Sequence, residues 1–136
     1  MPLYNQDFDN STDEPSSYAE FRKEISNAEV VIFIIPEYNR GLPAVIKNAI
    51  EIASRPRGKN AWNGKPAVVI SSSGGVMGGF GANHQLRQSL AFLNMRVIGQ
   101  PEAYIGKAQT LVDEDGKILS EDTQKFSNRS WMALWN

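Results

Sequence analysis

A continuous apolar run constrains this sequence most. Residues 29–35 read Glu-Val-Val-Ile-Phe-Ile-Ile, and Pro36 stops the run. A stretch of β-branched and aromatic residues without polar alternation is typical of a strand covered on both faces, and such strands belong to parallel sheets. The run therefore predicts a parallel β-sheet that contains this strand.

Helical and strand patterns alternate along the chain. Ser16 and Ser17 are predicted N-caps of a short helix whose apolar stripe is Tyr18, Phe21 and Ile25. The further predicted elements are a helix over residues 43–53, a strand over 65–71, a helix over 80–94, an interrupted strand over 95–98 and 103–105, a turn at Asp115-Gly116 and a helix over 121–135. The alternation predicts one α/β domain over residues 1–136, an open sheet with helices on both faces.

Composition excludes several classes of function. Lys and Arg number 14 against 15 Asp and Glu, which leaves no basic field for nucleic acid. With no cysteine and only His84, the chain cannot form disulfides, thiol centres or a multi-histidine metal site. The longest apolar run is too short to span a bilayer, and the N-terminus carries acids rather than the cations of a signal peptide. These features predict a cytoplasmic protein without a metal.

Two loops are candidates for a ligand site, because ligands of open α/β sheets bind beyond the carboxyl ends of strands. Pro36-Glu37-Tyr38-Asn39-Arg40-Gly41 follows the first strand, and the serine- and glycine-rich residues 71–79 follow the second. Tyr38 with its polar neighbours can wall a planar ligand, although a loop with Tyr38 packed inward is the alternative. The glycine loop lets a flat or anionic ligand approach backbone N–H groups, and a tight turn without a ligand is its alternative.

Other motifs carry less information. The chain has no Walker A lysine, no G-x-G-x-x-G fingerprint and no G-x-S-x-G elbow. Glu37 has no obvious second carboxylate for acid-base work, so we interpret it as structural or ligand-positioning. We interpret His84 as a surface or helix-packing residue and Trp62, Trp131 and Trp135 as packing or interface residues. No side chain is predicted to be catalytic.

A family resemblance rests on several motifs together. They are Pro36-Glu37-Tyr38-Asn39-Arg40-Gly41-Leu42-Pro43, Lys47-Asn48-Ala49-Ile50-Glu51, Ser54-Arg55-Pro56, Gly64-Lys65-Pro66, Ser71-Ser72-Ser73-Gly74-Gly75 with Gly78-Gly79, and Gln85-Leu86-Arg87-Gln88-Ser89-Leu90. Together they resemble the NADPH-dependent FMN reductase family, which includes chromate, quinone and azo-dye reductases. The resemblance implies a flavodoxin-like, three-layer open parallel sheet, with FMN bound at the strand ends.

The resemblance also implies site residues and partners. Pro36, Glu37, Tyr38 and Asn39 would contact the isoalloxazine, and Ser73, Gly74 and Gly75 would line its other edge, mostly through backbone. Hydride would pass from NAD(P)H through FMN to a small-molecule acceptor, so the flavin supplies the redox chemistry. Residues 43–54 resemble the region through which the family forms dimers, which implies a homodimer or tetramer and no nucleic-acid or membrane partner.

The sequence departs from the family at its start. Family members resemble it only after a preceding strand, phosphate loop, helix and strand, so the domain is expected to be N-terminally truncated. In the flavodoxin strand order the absent first strand lies beside residues 29–35. An unpaired apolar edge strand is a template for association, so we expect residues 29–35 to pair with their copy in a second subunit or with another polypeptide.

Three functions remain open from sequence. The first is an NAD(P)H-dependent flavin oxidoreductase that reduces flavin, quinones or other small acceptors. The second is a catalytically silent flavodoxin-like remnant that acts as an oligomerisation or binding module. The third is an α/β hydrolase with a nucleophile among Ser71, Ser72 and Ser73, which the missing elbow and the single histidine disfavour.

Overall fold

The computed structural model describes residues 1–132. A parallel sheet lies at its centre, built from β1 (Val31–Pro36), β2 (Pro66–Ser72), β3 (Arg96–Val97) and β4 (Ala103–Ile105). β1 pairs along its whole length with residues 67–72 on one side of β2, and β3 and β4 pair with successive parts of the other side of β2. The predicted parallel sheet and the interruption of its third strand are both confirmed.

Four α-helices accompany the sheet in the described residues: α1 (Ser16–Asn27), α2 (Ala44–Ser54), α3 (Phe80–Phe92) and α4 (Glu121–Met132). Ser16 and Ser17 do not cap α1, because Pro15 is the N-cap and Ser16 is already helical. Pro43 likewise precedes α2 as its N-cap, and both prolines have the extended ψ that turns a chain into a helix. The predicted extension of the last helix to Trp135, and the packing of Trp131 and Trp135, lie outside what the structure describes.

The core lies between one face of the sheet and α1–α3. Phe33 and Ile35 of β1 point to this face together with Ala67 and Val69 of β2. The helical side and its connecting segments contribute Ile50, Ala53, Trp62, Ala82, Leu86, Leu90, Leu93 and Met95, with Phe21 and Ile25 of α1 packed against them. Burial of this face holds the carboxyl ends of β1 and β2 at fixed positions.

The opposite face of β1 corrects one expectation. Ile34 is 66% exposed, so the strand is not covered on both faces in the described part of the chain. A continuous apolar run predicts that both faces of a strand are covered, but it does not indicate which element covers each face. The second edge of β1 also has no partner strand among residues 1–132. The expected association through this edge therefore stays a prediction.

Candidate functional site

Two loops leave the carboxyl edge of the sheet side by side. Pro36 of β1 is paired in register with Ser72 of β2. Residues 37–41 and residues 73–79 therefore start from neighbouring points and run over the same edge. The structure brings together the two segments that the sequence places in one crevice.

The first loop is a tight turn that presents an aromatic ring. Tyr38 and Gly41 exchange two backbone hydrogen bonds of 3.2 and 2.9 Å. Asn39 and Arg40 between them have φ values of 50° and 63°, the left-handed pair of a type I′ turn. The Tyr38 ring is 64% exposed, so the alternative in which it packs inward is wrong. An exposed phenol beside a rigid turn can form one wall of a slot for a flat ligand.

Glu37 anchors this turn to α3, the helix that follows the glycine-rich loop. Its carboxylate is 8% exposed, and Oε2 accepts a 2.9 Å hydrogen bond from the N–H of Ala82 in the first turn of α3. A carboxylate at this position also complements the positive end of the helix dipole. Because Glu37 already supplies a negative charge there, the start of α3 is poorly suited to a second anion such as a phosphate.

A further hydrogen bond fixes the end of the turn. The Gln85 amide oxygen of α3 accepts from the Leu42 N–H at 2.6 Å. The sequence does not predict this role of Gln85, and for Glu37 it predicts only a structural or ligand-positioning role. The two side chains together hold the Tyr38 turn against one side of α3.

The glycine-rich loop is clamped along its outer side by the segment that follows β4. Ser73 N–H donates to the Ile105 carbonyl at 3.0 Å, and Lys107 N–H donates to the Gly75 carbonyl at 3.1 Å. Gly106 makes this approach possible, because a Cβ there would lie 2.6 Å from the carbonyl oxygen of Val76. No sequence pattern indicates this contact between the two segments.

Four successive amides of the clamped loop have no partner. Among the hydrogen bonds of the described residues, the N–H groups of Gly74, Gly75, Val76 and Met77 donate to no acceptor. Nothing lies within 3.5 Å of a Cβ placed on Gly74 or Gly75, so a ligand can approach their backbone closely. The isoalloxazine of FMN carries carbonyl and ring-nitrogen acceptors along one edge. A row of free donors beside an exposed phenol therefore fits that ring.

The serines at the start of the loop do not form a nucleophilic centre. Ser71 is fully buried, and its hydroxyl lies 2.8 Å from the Gly78 carbonyl oxygen that accepts from it. His84 has its Nε2 atom 3.0 Å from the Tyr104 hydroxyl, and no hydrogen bond joins it to a serine in residues 1–132. The structure thus speaks against the hydrolase alternative.

An aromatic cluster borders the glycine loop on the outer side of α3. Phe80, His84 and Tyr104 stack with ring centroids 4.2 to 6.1 Å apart. Burial, followed by a hydrogen bond to Glu102, raises the pKa of Tyr104 above its usual value, so its hydroxyl stays protonated over the neutral range. His84 is exposed, in agreement with its interpretation as a surface residue.

Residues 1–132 contain no group of three or more His, Cys, Asp or Glu side chains placed to hold a metal ion. None of the helices in this region has the length and hydropathy required to cross a membrane.

Comparison with known proteins gives consistent matches over nearly the whole chain. The family model described as NADPH-dependent FMN reductase matches residues 1–110. A quinone reductase of Pseudomonas putida is 49% identical over 140 residues, an alignment that spans 98% of this chain and 74% of the relative. A 2-hydroxy-1,4-benzoquinone reductase of a Burkholderia species is 41% identical over 93% of this chain and 68% of its own length. The solved structure of FerB, a flavoenzyme NAD(P)H:(acceptor) oxidoreductase from Paracoccus denitrificans, superposes with a TM-score of 0.89 at 38% identity, covering 98% of this chain and 73% of that one.

Proposed function

The chain belongs to the NADPH-dependent FMN reductase family, and from that premise we propose that it binds FMN in the slot between the Tyr38 turn and the glycine loop. It is an NAD(P)H-dependent flavin oxidoreductase with the parallel α/β fold of the flavodoxin-like FerB enzyme. The observation that carries the assignment of the slot is the row of unpartnered amides from Gly74 to Met77 beside the exposed Tyr38 ring.

In this proposal the chain contributes position and hydrogen bonds. Bound FMN supplies the acceptance and donation of hydride. The amides of Gly74 and Gly75 donate to the acceptor edge of the ring, and Tyr38 packs on the ring system. The opposite side of the slot is lined by the backbone of Pro36, Glu37 and Asn39. Ser73 completes the slot. These donors are fixed before the ligand arrives, so little ordering cost is paid on binding.

The acceptor is proposed to be a quinone or a similar flat small molecule. Relatives of this chain carry the names quinone reductase and benzoquinone reductase. Val76 and Met77 are exposed next to the free amides, and they offer an apolar rim against which an uncharged ring can pack. We place the enzyme in the cytoplasm, where NAD(P)H is available, and treat residues 1–136 as one domain.

The test is a titration of the apoprotein with FMN while flavin fluorescence is recorded, followed by NAD(P)H oxidation with benzoquinone as acceptor. We expect saturable quenching and quinone-dependent turnover.

Gly75→Val places a branched side chain over the free amides and should weaken FMN binding by about tenfold or more, since even one lost contact of about 1.4 kcal/mol has that effect. Gly99→Val is the matched control, because nothing lies within 4 Å of a Cβ at Gly99. Absence of quenching by the wild-type chain at tens of micromolar FMN would contradict the proposal and favour the silent-remnant alternative.

The homodimer is proposed to form through α2 and α3. A groove between these helices is lined by Lys47, Glu51, Gln88 and Phe92 among others. Phe92 is 89% exposed at its rim, whereas Leu86 and Leu90 of the same helix are fully buried. A second copy that covers Phe92 would remove this exposed ring from water.

Light scattering during size-exclusion chromatography tests the dimer. The wild-type chain is expected at twice its 15.1 kDa mass, and Phe92→Glu is expected to be a monomer because two charges would face each other across the contact. Val112→Glu, an exposed apolar position outside the groove, should leave the dimer intact. A Phe92→Glu protein that remains dimeric would refute this interface and direct attention to the free edge of β1.

A further inference from the structure

A buried line of hydrogen bonds runs from the connection between β3 and β4, through α3, to the end of the glycine loop. Arg87 donates from Nη1 to the Ile98 carbonyl at 2.9 Å and from Nε to the Asn83 side-chain oxygen at 2.8 Å. Asn83 Nδ2 donates to Ser71 Oγ at 3.1 Å. Ser71 Oγ donates to the Gly78 carbonyl oxygen at 2.8 Å. We refer to these three side chains, Arg87, Asn83 and Ser71, as the relay.

Every bond in the relay has a fixed direction. A guanidinium can only donate, so the Asn83 oxygen must face Arg87 and the Asn83 NH₂ group must face Ser71. The Ser71 oxygen therefore accepts, and its single hydrogen is left to donate to a carbonyl. The Gly78 carbonyl at 2.8 Å is a much nearer acceptor than the Ala103 carbonyl at 3.4 Å, so Arg87 at one end leaves the Ser71 hydrogen free for Gly78 at the other.

Both inner members are shielded from water. Asn83 and Ser71 have no exposed surface. A buried carbonyl that loses its donor has no water to replace it, which costs free energy that an exposed group would not lose. Gly78 is the residue at which the loop turns back into α3, so the conformation of the free amides before it depends on this anchor.

We propose that Asn83 and Ser71 are positioning residues of the FMN site: through the direction of their hydrogen bonds they hold the Gly78 carbonyl and thereby keep the glycine loop in its ligand-binding conformation. The flavin part of this inference rests on the proposed function. The hydrogen-bond direction and its effect on the loop do not, since they concern the protein alone.

Asn83→Asp tests the direction of the relay without changing its size. One carboxylate oxygen still accepts from Arg87, and the other presents an acceptor to Ser71. The Ser71 hydroxyl then donates to the carboxylate, and the Gly78 carbonyl loses its partner. Ser71→Ala produces the same loss by removing the hydroxyl.

Two readouts are needed, one with flavin and one without. In a titration followed by flavin fluorescence, we expect each variant to raise the Kd for FMN about tenfold, the effect of one buried hydrogen bond. In the flavin-free protein, hydrogen exchange resolved by NMR should be about tenfold faster at the amides of Lys107 and Ala108, which donate to the glycine loop. Amides in the middle of α2 should keep their wild-type exchange rates, because the fold is not affected.

The double variant discriminates between a relay and two independent contacts. Ser71→Ala combined with Asn83→Asp should match the single variants within a factor of two, since both changes release the same carbonyl. If the increases in Kd of the two single variants multiply in the double variant, the relay is overturned. An unchanged Kd with faster exchange at Lys107 overturns the role in flavin binding, and a raised Kd with unchanged exchange overturns the effect on the loop.

Further variants complete the experiment. Ser54→Ala is the matched control, because the Ser54 hydroxyl also donates to a backbone carbonyl at 2.8 Å but within α2.

Arg87→Met keeps the stem of a partly exposed side chain and lets the Asn83 amide rotate, so it tests the relay even if changes at buried positions prevent folding. We expect about a threefold rise in Kd for Arg87→Met, less than one full hydrogen bond, and no rise overturns the inference. If wild-type protein does not bind FMN, the proposed function fails while the exchange rates still decide the relay.

Discussion

Gly78→Ala is expected to lower the free energy of unfolding by about 2–4 kcal/mol and to weaken FMN binding by about a hundredfold or more. Gly78 has a φ of 58°, which side chains of L-residues rarely tolerate. A Cβ at this position would lie 2.5 Å from the Tyr104 carbonyl carbon and 2.8 Å from the Ile105 nitrogen. Both neighbours are backbone atoms of β4, so they cannot rotate away as a side chain would.

The damage should reach the proposed flavin slot because β4 pairs with β2 and the glycine loop follows β2 directly. Tyr104 is paired in register with Ser71, and a shift of β4 that relieved the clash would break this pairing. A shift of the loop instead would separate Gly78 from Ser71 and move the free amides. Either response removes the preformed donors that we propose to bind FMN.

Urea unfolding of the apoprotein and the fluorescence titration measure the two effects of Gly78→Ala. Gly99→Ala provides the comparison, since a Cβ at Gly99 has no neighbour within 4 Å and its φ is outside the left-handed region. The control should retain wild-type stability and affinity. A Gly78→Ala protein with both properties unchanged would show that the backbone of this loop is free to move and that its conformation does not determine binding.

The meeting of the two loops can be predicted from sequence because it depends on topology. Two strands that run parallel and pair must place their following loops at the same edge, so the sequence predicts that the residues after Ile35 and Ile70 meet. The composition of those loops, with Tyr38 in one and several glycines in the other, makes them candidates for a ligand site. The meeting of the loops is predictable because strands and turns leave local patterns in the sequence.

The anchors of the site could not be predicted, because they join residues that are distant in sequence. Glu37 and Ala82 are 45 positions apart, and no periodicity relates a carboxylate in a turn to one particular helical N–H. One weak signal was present: Asn83 and Arg87 lie one helical turn apart beside the apolar residues Ala82, Leu86 and Leu90. Polar residues next to a buried stripe indicate an internal hydrogen-bond network, although the sequence does not name its partner.

Trp62→Ala is expected to cause the largest loss of stability in this chain, about 3–5 kcal/mol, because it empties the volume of a large aromatic side chain in the core. The indole is 1% exposed. The centroid of its ring lies 6.1 Å from that of Phe21 in α1 and 5.8 Å from that of Phe33 in β1, and its Nε1–H donates to the Ile50 carbonyl of α2 at 3.1 Å. Three elements thus lose a shared contact in one substitution.

Trp62→Phe separates the contribution of packing from that of the hydrogen bond. Phenylalanine keeps most ring contacts but leaves the Ile50 carbonyl without its donor, so we expect a smaller loss of about 1–2 kcal/mol. Urea unfolding gives both values, and the melting temperature of the alanine variant should fall by roughly 10–20 °C. Because the wild-type domain has a total stability of only about 5–15 kcal/mol, the alanine variant should also populate its unfolded state enough to lower the apparent FMN affinity. Equal losses for the two variants would mean that the Ile50 hydrogen bond, rather than the aromatic packing, holds α2 against the sheet.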